Sequence, residues 1–116
     1  MGPASTGVVG IEKFAGDNWQ LWSIKAKLIF RGNDMWGIVS GDERRPVEAP
    51  GSKPDQEVRK AQRDFDQRNS RALSIIGLSL SDDILAASGI GLMESAADAW
   101  HKLESTYAAR TLLSRL

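Results

Sequence analysis

Apolar side chains return every three or four positions along most of this chain, the spacing of helices with one buried face. The clearest stripe is Trp19, Trp22, Ala26, Ile29 and Phe30, which predicts a first helix from about Trp19 to Arg31. Leu21, Ile24 and Leu28 widen its apolar arc and leave Lys25, Lys27 and Arg31 for water. An arc that wide predicts a central helix touching several neighbours. Asp17 or Asn18 can cap its start after a turn at Gly16. Gly32-Asn33 can close it with a left-handed residue at the C-terminal end.

The pattern continues in shorter and longer pieces. Asp34 can cap a brief second helix, Met35 to Val39, which Gly41 stops. Residues 42 to 53, with Pro46 and Pro50, read as a polar surface loop. Pro54 suits the first turn of a third helix, about Asp55 to Leu78, because that turn needs a fixed φ and no donor. Val58, Ala61, Phe65, Ala72, Ile76 and Leu80 stripe it, with Leu73 and Ile75 alongside. Its charged first half is expected to project, and its nearly uncharged second half to be buried. Ser79 to Asp83 breaks the helix and caps a fourth, about Asp82 to Ala87, ending at Ser88-Gly89. After a turn at Gly91 to Glu94, Ser95 caps a fifth helix, with Asp98 three residues on in a capping-box arrangement. Ala96, Trp100, Leu103 and Tyr107 stripe that helix, and Thr111 to Leu116 begins a further one. No β-type alternation of useful length occurs.

The expected fold is therefore all-α, a compact bundle of about five to six helices over residues 14 to 116. Residues 1 to 13 are rich in Gly, Ser, Thr and Ala and read as a flexible arm, from which Val8, Val9 and Ile11 can dock. Its opening, Met1-Gly2-Pro3-Ala4-Ser5-Thr6, matches the myristoylation pattern formally, but so short a pattern recurs by chance. Pro3 is also awkward beside an acylated glycine.

Composition narrows the function. Fifteen Lys/Arg balance fifteen Asp/Glu among 116 residues, so no overall basic field draws nucleic acid to the domain. With no cysteine, disulfides, thiolate metal sites and thiol nucleophiles are excluded. No apolar run nears the roughly 18 to 20 residues that span a bilayer.

Candidate chemistry has simpler explanations. His101 is the only histidine, and one histidine without a cysteine or second histidine cannot build a zinc site. Asp82-Asp83 follows Ser81 at a helix start, where the helix dipole favours negative charge. Gly89-Ile90-Gly91 lacks a third glycine and a preceding strand, so it fails as a nucleotide loop. The run Arg59 to Arg68, interleaved with Asp64 and Asp66, reads as a solvated helix face. Neither a catalytic set, a cofactor site, a metal site nor a small-molecule substrate is expected. Phe14, Trp19, Trp22, Trp36, Phe65, Trp100 and Tyr107 are expected to form an aromatic core. The functional alternative is that one or two tryptophans line a groove for a partner peptide or helix.

Four blocks in order carry a family resemblance. Phe14-x-Gly16-x-Asn18-Trp19-x-x-Trp22 comes first, then Gly32 with Trp36-x-x-Val39-x-Gly41. Ala72-x-x-x-Ile76-x-x-x-Leu80-Ser81-Asp82 and Ala97-x-x-Trp100-x-x-Leu103-x-x-x-Tyr107 follow. Together they resemble the Gag polyproteins of copia-type LTR retrotransposons, with Phe65 where the family often has a tryptophan. The resemblance implies a capsid N-terminal domain that self-associates into a cytoplasmic virus-like shell around the element's RNA. It also implies a longer Gag, in which RNA is gripped by a zinc knuckle that these residues lack. Lys25, Lys27, Arg31, Arg59 and Arg63, with the 42 to 53 loop, are the expected assembly surface. A domesticated host module binding a protein partner through a tryptophan-lined groove is the alternative.

Overall fold

The computed structural model describes residues 11–51 and 53–114. The myristoylation pattern, Val8 and Val9 fall outside the described residues. Five α-helices and one short 3-10 turn follow in order: α1 Trp19–Gly32, α2 Trp36–Ser40, α3 Gln56–Leu78, α4 Asp82–Ser88, the 3-10 turn Ile90–Leu92, and α5 Ala96–Ser114. The all-α expectation holds. The separate helix expected from Thr111 does not appear, because α5 runs on without a break to Ser114. No glycine or proline interrupts that stretch.

Side-chain caps set most of the helix starts. Asn18 Oδ1 accepts from the Leu21 amide at 3.4 Å. Asp55 Oδ1 accepts from the Glu57 amide at 2.9 Å, which makes Asp55 the cap of α3 and places Pro54 just before it rather than in the first turn. Ser81 Oγ accepts from Ile84 at 3.3 Å, and Ser95 Oγ from Asp98 at 3.2 Å. Each bond satisfies an amide that the first turn leaves without a helical partner.

The end of α1 corrects the expected closure. The left-handed residue is Asp34, at φ +58°, not Gly32 or Asn33. The Met35 amide then reaches back to Phe30 O at 2.8 Å, and the Asp34 amide to Arg31 O at 3.3 Å. This is the paired return bond of a Schellman end, and its apolar clasp is buried Met35 against buried Phe30. Asp34 is thus engaged in closing α1, and α2 starts at Trp36 with Met35 at its cap position and no side-chain cap.

The centre of the bundle is α5, not α1. Its Ala96, Ala99, Trp100, Leu103 and Tyr107 are all buried, and it packs against α1, α2 and α3. Trp100 is the hub, with ring centroids 5.4 Å from Trp19, 5.8 Å from Trp22, 5.5 Å from Trp36 and 6.1 Å from Phe30. Phe14 joins from below, 5.7 Å from Trp19, 5.3 Å from Trp22 and 5.0 Å from Tyr107. Such tilted and edge-on pairs add to the area they bury. Ile11 is docked here too, and Phe14 is fixed by its backbone. The Phe14 amide donates to Ser79 O at 2.8 Å, and Phe14 O accepts from the Ser81 amide at 2.9 Å. The chain before α1 therefore clamps the α3–α4 junction.

Two burial expectations change. Leu21, Ile24 and Leu28 do not extend the buried face of α1, since all three are exposed. The second half of α3 buries Ala72 and Ile76 but leaves Leu78 exposed. The first half of α3 does not project: Phe65 is partly buried against the core, and the 42 to 53 loop is bonded along it.

Candidate interaction surfaces

The places singled out for chemistry serve as structure. His101 lies exposed on α5, facing Gly41. Asp82 and Asp83 fill the first turn of α4, where the dipole welcomes them. Gly89, at φ +72°, ends that helix in the left-handed conformation glycine adopts without strain. Among the described residues, no three His, Cys, Asp or Glu side chains are placed to hold a metal ion. No helix there is long and apolar enough to cross a membrane.

Of the aromatics, Phe14, Trp19, Trp22, Trp100 and Tyr107 are buried, and Trp36 and Phe65 are half-buried. Trp22 borders a cleft of about 190 Å³ beside the start of α1, with Leu21, Asp17 and Lys25 on its rim. Its indole N–H is buried without a hydrogen-bond acceptor. The ring of Trp22 stands 5.3 to 5.8 Å from those of Phe14, Trp19 and Trp100, so it belongs to the aromatic cluster.

The five candidate assembly cations divide. Lys25, Arg31 and Arg63 are exposed. Lys27 is not left to water: its ammonium sits 4.9 Å over the Trp36 ring, a cation–π contact that shields the half-buried indole. Arg59 pairs with Glu48 at 3.5 Å, on the loop that faces it.

That last pair belongs to a feature the sequence pattern did not indicate. The 42 to 53 loop and the charged half of α3, expected to be two surfaces, are zipped into one. Arg45 forks onto Asp66 through bonds of 2.9 and 3.1 Å. Gln62 Nε2 donates to Pro46 O at 2.8 Å. Arg68 is the knot: it donates to both oxygens of Glu43, to Asp64 at 3.0 Å and to Asp34 O at 3.1 Å. The loop enters this zipper through the Glu43 amide, which donates to Gly37 O at 2.9 Å. Gly37 permits that approach, because a Cβ there would meet Glu43 Cβ at 3.3 Å. Hydrogen bonds from Arg68 hold the Glu43 carboxyl below its ordinary range, and those from Arg45 do the same for Asp66. The Arg68 guanidinium is in turn held more firmly protonated by Glu43. Alternating charge read as a solvated face; in space the acids and bases on α3 answer those on the loop. No local signal marks a partner 21 or 25 residues away.

Asn69 links this side to the core. Its Nδ2 donates to Glu94 O at 2.7 Å, and its Oδ1 accepts from the Ala96 amide at 2.9 Å. One α3 side chain thereby fixes the start of α5.

A family model described as gag-polypeptide of LTR copia-type matches residues 26–116. No curated protein and no solved structure gave a match. The matched span begins inside α1, after the Phe14 to Trp22 block. In space that block is inseparable from it, since Phe14, Trp19 and Trp22 all pack on Trp100 or Tyr107.

Proposed function

The chain belongs to the gag-polypeptide family of LTR copia-type elements, and from that premise we propose that it is a structural capsid domain that associates with copies of itself in a shell. It carries out no catalysis in this reading, and the element's RNA is enclosed by the shell rather than gripped by this domain. The shell forms in the cytoplasm.

The observation that carries the reading beyond family membership is the contrast between interior and surface. The interior is a tight aromatic cluster around Trp100, which gives a rigid brick. The surface keeps three large apolar side chains of α1 half exposed, an expense that an isolated monomer has no use for. A balanced net charge suits copies that must approach one another closely.

Expression of a Gag that contains this domain, followed by electron microscopy, tests the proposal. Particles are expected from the wild type, and fewer or misshapen ones after charge reversal at exposed Lys25 and Arg63. Absence of particles from the wild type refutes the shell reading.

A further inference from the structure

Besides the single exposed side chains Val47 and Leu92, two apolar features lie outside the core. The first is a ridge. Leu21, Ile24 and Leu28 are 47%, 50% and 61% exposed and stand in one row along α1, at steps of three and four residues. Exposed Lys25 and Arg31 flank the row, neither holds an ion pair among the described residues, and α1 contains no acid. The second is a groove of about 330 Å³ between the end of α3 and α4. Leu73, Leu78, Leu85 and Ile90 line it, with Gly77 among them. A Cβ on Gly77 would meet only Leu85 Cδ1, at 3.7 Å, so there is room above it. Asp82 and Asp83, exposed and without ion pairs among the described residues, stand within a turn of Leu85.

We infer that the α1 ridge of one copy seats in the α3–α4 groove of another, with Lys25 and Arg31 set against Asp82 and Asp83. This rests on the shell reading above and names its contact. Charge selects the pairing. Ridge against ridge would oppose lysines and arginines with no acid on either helix, and groove against groove would oppose the aspartates. Ridge in groove is the pairing that sets both Lys25 and Arg31 against acids, whereas the acids near the ridge's start, Glu12 and Asp17, share a cleft with Lys25 of their own copy. Because the two faces differ, every copy offers one ridge and one groove. Such a contact propagates into a ring or lattice instead of ending at a pair. Three side chains in one groove fall well short of the roughly 1,200 Å² that stable specific interfaces bury. The contact is accordingly weak, with a dissociation constant of about 0.1 to 1 mM, as suits a shell held by many repeats.

Sedimentation equilibrium of the 116-residue chain from about 10 µM to about 1 mM tests it. The wild type should associate, and Leu28→Asp and Gly77→Met should each weaken association about tenfold. Both substitutions lie outside the core, and circular dichroism checks that each variant folds. An equimolar mixture of the two variants should form a one-to-one pair, because one intact ridge still meets one intact groove. Lys25→Glu and Asp82→Lys should each weaken association, and a mixture of those two single variants should recover it. A mixture of Leu28→Asp and Gly77→Met no heavier than its components overturns the inference, as does a wild type that stays monomeric throughout. Loss of association in Leu28→Asp alone would assign the ridge to a like-with-like pair, against the inference. If concentration-independent magnetic resonance contacts run from the ridge to residues 1–10, the chain's own arm is the occupant and the inference fails. Particles that still form from Gag carrying Leu28→Asp would refute this contact while leaving the shell reading intact.

Discussion

The two ends of this molecule hold themselves together by different physics. Around Trp100, seven aromatic rings and the small residues of α5 exclude water, and nearly every contact is apolar. Along the first half of α3, the 42 to 53 loop is held by guanidinium forks and an amide, on side chains that mostly still touch water. Apolar burial involves no titrating group and no charge to screen, whereas exposed ion pairs are worth little and are screened. The first region therefore sets whether the domain folds. The second sets only how the loop lies on a domain that is already folded.

The sharpest way to break the comparison is at its strong end. Trp100→Ala removes the hub ring and should cost roughly 3 to 5 kcal/mol. Against the roughly 5 to 15 kcal/mol of a typical domain, thermal denaturation should show a large fall in midpoint. A loss below about 1 kcal/mol would mean the cluster is not the organising core.

Asn69→Ala should follow, at about 1 to 2 kcal/mol, because it leaves the Ala96 amide and Glu94 carbonyl at the start of α5 without their partner. Urea unfolding would measure it. Arg68→Ala should cost about 1 kcal/mol or less globally. Its signature is local: faster hydrogen exchange and proteolysis across residues 42 to 51, with α5 unaffected. Equal loss of protection in both regions would show that they fold as one unit.

Acid should separate the regions in the same way. Glu43 and Asp66 have depressed folded values, so their contribution is present above their unfolded values of about 4 and is lost as pH falls through the folded ones. As pH falls below about 4 the loop should loosen while tryptophan fluorescence from the core stays unchanged. High salt at neutral pH should mimic this weakly. The smallest effect on stability is expected from Leu28→Asp, within about 0.5 kcal/mol, since its side chain already lies in water.

The difference between the regions also explains what the sequence alone made readable. The helix start at Ser95 was plain, and those of α1 and α4 were narrowed to Asp17 or Asn18 and to residues 79–83, because a cap and its amide lie within three residues. The aromatic core was plain too, because Trp19, Trp22, Trp100 and Tyr107 keep helical spacing and have one sensible destination. Periodicity records apolarity but not the presence of a neighbour. That is why Leu21, Ile24 and Leu28 looked like core and are surface. α5 took the central place by burying Ala96, Ala99, Trp100, Leu103 and Tyr107 while packing on α1, α2 and α3. The zipper was not readable at all, since Arg45 and Asp66 are as ordinary in sequence as any surface pair. Asp34 in the left-handed conformation was hidden by Gly32-Asn33 just before it, the residues that more often take that conformation.

The central claim is that this chain is a rigid unit that meets copies of itself, and light-scattering mass against concentration tests it most directly. The weight-average mass should rise above the 12.7 kDa of one copy as concentration approaches about 1 mM, with tryptophan fluorescence constant throughout. A mass fixed at 12.7 kDa over the whole range would contradict the account.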